Sequence, residues 1–169
     1  MTDPRSVVIL GIGNTLMQDD GIGVWVIRAL AEACLLPPRV RLIEGGIAGL
    51  RLLPDLISAE ELLIVDAMNG SGPPGALYRL GPENLPRGRG PLMSAHEVGI
   101  MEVLSVAELL GKRPRTRIIG VQPKEVEAVG LELTAPLQEA LPRVVEAVVE
   151  ELRGMGVELA EKSNYSSPL

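Results

Sequence analysis

Few residues in this chain are of a type that does chemistry. Its 169 residues include one histidine, His96, and one cysteine, Cys34. Among the acids, Asp19 and Asp20 follow the apolar run at 7–10, and Asp66 closes the run at 62–65. Two carboxylates and an imidazole form a donor set for a transition metal such as Zn, Ni or Fe(II), with coordination positions left over for a second molecule. A lone thiol offers neither an intramolecular disulfide nor a thiolate zinc cluster, and Cys34 reads as a small buried hydrophobe. No H-E-x-x-H occurs, so a conventional zinc peptidase is not supported.

The elements that must position these residues are legible in the hydrophobic pattern. The run at 7–10, closed by Gly11, has the character of a strand covered on both faces. After GIGNTLMQDD, Ile22, Val26, Ala29 and Ala33 recur at helical spacing, which predicts a helix starting around Asp20 and stopped by Pro37 and Pro38. A second strand is expected at 40–43, a short helix confined or kinked by Pro54 at 50–57, and a third strand at 62–65 ending at Asp66. The NGSGPP connection to a fourth strand at 75–80 is too short for a parallel crossover, so that strand should be antiparallel at an edge. Ser94 and Glu97 make an S-x-x-E capping box before Ile100, Val103, Leu104, Ala107 and Leu110, with Gly111 as the stop. A fifth strand at 117–121 and a long helix at 135–153 complete the pattern.

Strands alternating with helices imply an α/β fold. The expected form is a single three-layer domain: a mostly parallel sheet of about five strands, one antiparallel edge strand, and helices on both faces. The domain spans residues 1–160, and the polar stretch 161–169 reads as a disordered tail. In such sheets ligands bind outside the carboxyl ends of the strands. Asp19 or Asp20, Asp66 and His96 all fall at that edge, delivered by three separate segments.

Each residue also has a plainer reading. Asp19 or Asp20 could cap a helix, Asp66 could open a turn with Asn69 and Gly70, and His96 could be a surface side chain. Their convergence favours a site. If Ser94 is the cap, His96 is the second helical residue, where the positive end of the helix disfavours imidazolium and keeps the neutral form a metal requires.

Composition narrows the partners. With 22 acidic against 16 basic side chains, a net charge of -6 and 2% aromatic residues, nucleic acid is a poor partner. A mean hydropathy of +0.24 describes a folded globule. No apolar stretch approaches the ~18 residues of a membrane span. MTDPRSVVILGIG has neither the apolar core nor the cleavage site of a secretory signal, so a cytoplasmic protein without membrane insertion is expected. Arg87 and Arg89, in a loop rich in Gly and Pro, read as solvated.

Two alternatives stand beside the metal site. Gly11 and Gly13 begin a dinucleotide fingerprint, and Glu44 stands where an acid could hold a ribose. The third glycine position is Leu16, however, and the two aspartates would repel a pyrophosphate. A nucleotide-binding oxidoreductase of Rossmann type is therefore the runner-up. A noncatalytic module that senses a metal site is the other.

Taken together, GIGNTLMQDDGIG, LIEGGIAGL, LLIVDAMNG and MSAHEVG resemble, in order and spacing, the motifs of the NiFe-hydrogenase maturation endopeptidases. The resemblance runs from about Val7 to the carboxy-terminal helix. It implies that Asp20, Asp66 and His96 are the metal-contacting and catalytic residues. It also implies removal of a carboxy-terminal extension from the large-subunit precursor of a NiFe hydrogenase after nickel insertion. The nickel is expected to arrive on the precursor, although other divalent ions can occupy such a site. Glu44, Gly45 and Gly46, which share the carboxyl edge, are candidates for substrate recognition, with a turn needing positive φ as the plainer account of the glycines.

Overall fold

The computed structural model describes residues 5–84 and 95–162, with side chains from residue 99 onward in the second stretch. In chain order the elements are β1 (Val7–Ile12), α1 (Ile22–Ala33), β2 (Cys34–Leu35), β3 (Val40–Gly46), α2 (Leu53–Ile57), β4 (Glu61–Ala67), β5 (Leu77–Leu80), α3 (Ala95–Leu109), β6 (Arg115–Val121), α4 (Ala135–Gly154) and β7 (Ala160–Glu161). Short 3-10 turns at Gln18–Gly21 and Gly49–Leu52 precede α1 and α2.

The main sheet has the order β3-β1-β4-β6-β5. Its first four strands are parallel, and β5 runs antiparallel to β6 at one edge, as the short connection predicts. β1 and β4 are buried along their whole length because helices cover both of their faces. Val7, Ile9, Leu63 and Val65 join the core beneath α1 and α4. Val8, Leu10, Leu62 and Ile64 point the other way, toward Leu52, Leu56, Ile100 and Leu104 of the α2 and α3 side. This period-two division of one strand between two cores gives the three layers.

Two glycines bring α1 against the sheet. A Cβ on Gly11 would lie 2.3 Å from the Gly23 carbonyl oxygen, and one on Gly23 would lie 2.1 Å from that of Val65. Helix and strand backbones are therefore in direct contact at the first turn of α1.

Several element boundaries differ from the sequence expectation. Helix α1 begins at Ile22 and ends at Ala33, ahead of the two prolines, because Cys34 and Leu35 pair with Glu161 and Ala160 in a small antiparallel sheet. Glu161, the first residue of the expected tail, thus belongs to a strand, and the Lys162 N–H donates to the Ala33 carbonyl. Residues 163–169 lie outside the described residues. Strand β3 continues through Gly45 and Gly46, and β4 runs one residue past Asp66, to Ala67. The segment at 50–57 divides into a 3-10 turn and α2, with Pro54 in the first turn, where its missing N–H costs nothing. Helix α4 runs through Pro142 despite the lost donor, since Leu137, Ala140, Val144, Val148 and Leu152 keep its apolar stripe buried. Helix α3 ends before Leu110, which is exposed. Ser94, the Glu97 side chain and the arginines at 87 and 89 lie outside the described residues, so the predicted capping box does too.

Candidate active site

The carboxyl edge of the sheet is built from the ends of β1, β3, β4 and β6. The loop after β1 is held in shape by its own backbone. Of the eight N–H groups from Gly13 to Asp20, seven donate within the protein, among them Gly13 to the Gly46 carbonyl at 3.0 Å and Gln18 to that of Gly130 at 3.0 Å. A loop that cradles a pyrophosphate needs those donors for its ligand. Here they are spent internally, and the nucleotide alternative loses its binding element.

Asp20 and Asp19, adjacent in sequence, have separate tasks. Oδ2 of Asp20 accepts the Asn14 N–H at 2.9 Å, and the residue remains partly exposed at the rim. Gly13 (φ +121) makes this possible, because a Cβ there would lie 1.7 Å from the Asp20 carbonyl oxygen. Asp19 is fully buried. Its Oδ2 accepts the Lys124 N–H at 2.9 Å, the Glu125 N–H at 3.1 Å and the Thr134 hydroxyl at 2.8 Å, while Oδ1 accepts the Thr134 N–H at 2.8 Å. It ties the loop after β1 to the segment between β6 and α4. Neither carboxylate caps α1, whose N-cap is Gly21.

Asp66 is buried within β4, with Oδ1 accepting the Ala67 N–H at 2.8 Å. Strand alternation puts it on the side shared by Ile64 and Met68, the side that α2 and α3 cover. The 3-10 turn carrying Asp20 packs against β4, so the two acids belong to touching elements. His96 is the second residue of α3. One turn later, Gly99 and Ile100 line a cavity of about 130 Å³ together with Ile12, Gly46 and Ile47, so the first turns of α3 border the ends of β1 and β3. The His96 side chain lies outside the described residues. Among the described residues, no three His, Cys, Asp or Glu side chains are grouped closely enough to hold an ion.

Glu44, Gly45 and Gly46 each have a local role. Both Glu44 oxygens accept from the Arg28 guanidinium, at 3.1 and 3.0 Å, and this pairing raises the Arg28 pKa above its ordinary value. The guanidinium also lies 5.5 Å from the Trp25 ring centroid. Glu44, Arg28, Gly13, Asn14 and Gly46 line a second cavity of about 180 Å³ beside the first. Gly45 has a packing reason, since its Cβ would lie 2.6 Å from Leu10 Cδ1. Gly46 has φ +52 and open space around it, so its backbone conformation, rather than crowding, favours glycine.

A stability test follows. Gly46→Ala should destabilise the fold by about 1 kcal/mol, and Gly46→Asn by less, because asparagine tolerates left-handed backbone. Thermal unfolding followed by circular dichroism measures both. Equal stability of the alanine variant and the wild type would contradict this account of the turn.

Two supports of the site carry no sequence signature. Gln122, just after β6, accepts through Oε1 from the Gly70 N–H at 2.7 Å and the Tyr78 hydroxyl at 2.9 Å, clipping down the loop that leaves β4 beside Asp66. Thr134, the counterpart of Asp19, is the other. An isolated Thr before a proline-started helix reads only as a cap.

This is an α/β domain whose acids gather where parallel strands end, and comparison with known proteins specifies its family. Residues 24–151 match the family model for the hydrogenase maturation protease, HycI. The hydrogenase expression/formation protein HupD of Rhodobacter capsulatus is 38% identical over 168 residues, covering 98% of this chain and 80% of the relative. The hydrogenase 2 maturation protease of Escherichia coli is 33% identical over 154 residues, covering 90% and 93%. Among solved structures, the hydrogenase maturating endopeptidase HybD from E. coli superposes with a TM-score of 0.83 at 31% identity, covering 94% of this chain and 99% of that one. The chain belongs to the hydrogenase maturation protease family. It is a hydrolase, and membership replaces both the oxidoreductase and the noncatalytic alternatives.

Proposed function

We propose that this endopeptidase removes the carboxy-terminal extension of a NiFe-hydrogenase large-subunit precursor that already carries nickel, with Asp20, Asp66 and His96 as the residues that meet the metal and the scissile segment. The observation that carries the reading is the placement of Asp20 and Asp66 on touching elements at the carboxyl edge, each anchored by a backbone N–H. Two carboxylates and an imidazole are a donor set that suits a divalent ion with positions left for other ligands. Nickel belongs to the substrate in this reaction, and when present it would polarise the scissile carbonyl.

The contributions of this chain are positional and electrostatic. The carboxylates offer negative charge to a cation brought by the precursor. A carboxylate oxygen can also take a proton from an attacking water, and His96 adds a nitrogen donor at the start of α3. Glu44, Gly45 and Gly46 form the neighbouring wall, where the cavity beside Arg28 can receive a segment of the precursor. The same reading keeps the protein in the cytoplasm. No helix among the described residues is long and apolar enough to cross a membrane.

Mass spectrometry of the nickel-loaded precursor after incubation with the protein tests the reading. The expected result is two products, the shortened subunit and a peptide from its carboxyl end. Persistent intact precursor would overturn it.

A further inference from the structure

The described residues expose eight large hydrophobic side chains, and five of them, Leu16, Ile47, Leu50, Val129 and Leu131, belong to loops or turns at the carboxyl edge. Leu16, Val129 and Leu131 meet around one backbone bridge. The Gly130 N–H donates to the Leu16 carbonyl at 2.9 Å, and Gly130 pairs with Met17 in parallel fashion. Leu16 is 56%, Val129 82% and Leu131 68% exposed. Leu16 stands on the same loop as Asp20, four residues before it.

These residues are not on a loose loop. The chain from Lys124 to Thr134 is held by the four hydrogen bonds to Asp19, and burying that carboxylate is costly unless its acceptors are filled in this way. Glu125 adds a turn of its own, its Oε1 accepting the N–H groups of Glu127 and Ala128, which holds its carboxyl below the usual carboxylate range. The fold therefore fixes an apolar ridge in solvent next to a candidate catalytic acid. Clustered apolar exposure on a rigid frame marks a protein contact.

We infer that Leu16, Val129 and Leu131 form the docking ridge for the folded body of the precursor, an apolar patch on the large subunit beside the point where its extension emerges. The occupant follows from position. A macromolecular substrate cleaved at Asp20 must lie against the loop that carries Asp20, and this ridge is the apolar part of that loop and of the segment bridged to it. The inference rests on the processing reading above. It adds that affinity for the precursor resides in the ridge while the chemistry resides in the acids, so the two can be separated by mutation.

The experiment measures KM and kcat on nickel-loaded precursor for the wild type, the double variant V129D/L131D and the control L109D. Leu109 is 88% exposed but lies at the last residue of α3, at the opposite end of the sheet. The double variant should raise KM tenfold or more with kcat within twofold, and L109D should match the wild type. Because paired aspartates can also disturb a loop, V129S/L131S is run in parallel and thermal unfolding is recorded for all; a KM increase in the serine pair at wild-type stability supports the ridge. Wild-type KM in both double variants, or an equal KM increase in L109D, overturns it. If the wild type itself leaves the precursor intact, it is the processing reading that fails.

Discussion

Asp66→Asn and Asp20→Asn are each expected to lower precursor processing roughly a thousandfold or more while the fold stays intact, a loss typical of groups that act as one unit in the transition state. The substitution keeps the shape of the side chain, so Ala67 and Asn14 retain an oxygen to which their N–H groups can donate. What disappears is the charge that, in the proposed function, would meet the substrate's cation. His96→Ala should have the same effect on turnover, since the chain has no second histidine to replace it. Cleavage assays paired with circular dichroism measure both sides. Wild-type cleavage by His96→Ala would remove the proposed triad.

The neighbouring carboxylate should behave in the opposite sense. Asp19→Ala would leave the N–H groups of Lys124, Glu125 and Thr134 and the Thr134 hydroxyl without their acceptor in a buried place. Each unsatisfied donor costs ~1–3 kcal/mol, so a total of about 4 kcal/mol, partly relieved by water, is expected. Asp20→Asn should change stability by less than about 1 kcal/mol, as usual for substitutions at partly exposed rims. Urea unfolding of the two variants, with processing measured per folded molecule, distinguishes them. A stable Asp19→Ala protein would mean that the segment from Lys124 to Thr134 is held by something other than this carboxylate.

That division between Asp19 and Asp20 is beyond the reach of the sequence, where the two acids are interchangeable members of one loop. The distinction depends on contacts more than a hundred positions away, at Lys124 and Thr134. Local pattern does reveal the larger plan. Covered strands at β1 and β4 read as continuous apolar runs because both faces are packed, and the short connection before β5 forces its antiparallel direction. Strands β2 and β7, at two residues each, are too short to show a period and exist only because they find each other. The pattern ends the third strand at Asp66, yet β4 runs on to Ala67, because a polar residue in an apolar run reads as an ending unless the pocket that accepts it is known. Gly45 and Gly46 read as a turn, yet β3 runs on through them, its ladder skipping Gly45 at a bulge and pairing Gly46 with Ile12. The glycine of α1, Gly23, has no signal at all, since a close helix-to-strand approach is a property of two segments.

The proposed metal chemistry makes the processing step a check on nickel insertion. In that proposal two acids and one imidazole would provide a partial shell, and ligands on the precursor would complete it only in the complex. The most direct measurement compares metal-free and nickel-loaded precursor, using enzyme whose own metal content has been determined and stripped. Release of the carboxy-terminal peptide is expected from the nickel-loaded form alone, at wild-type rate and without added metal. Efficient cleavage of the metal-free precursor, or a requirement for tightly bound zinc in the free enzyme, would contradict it.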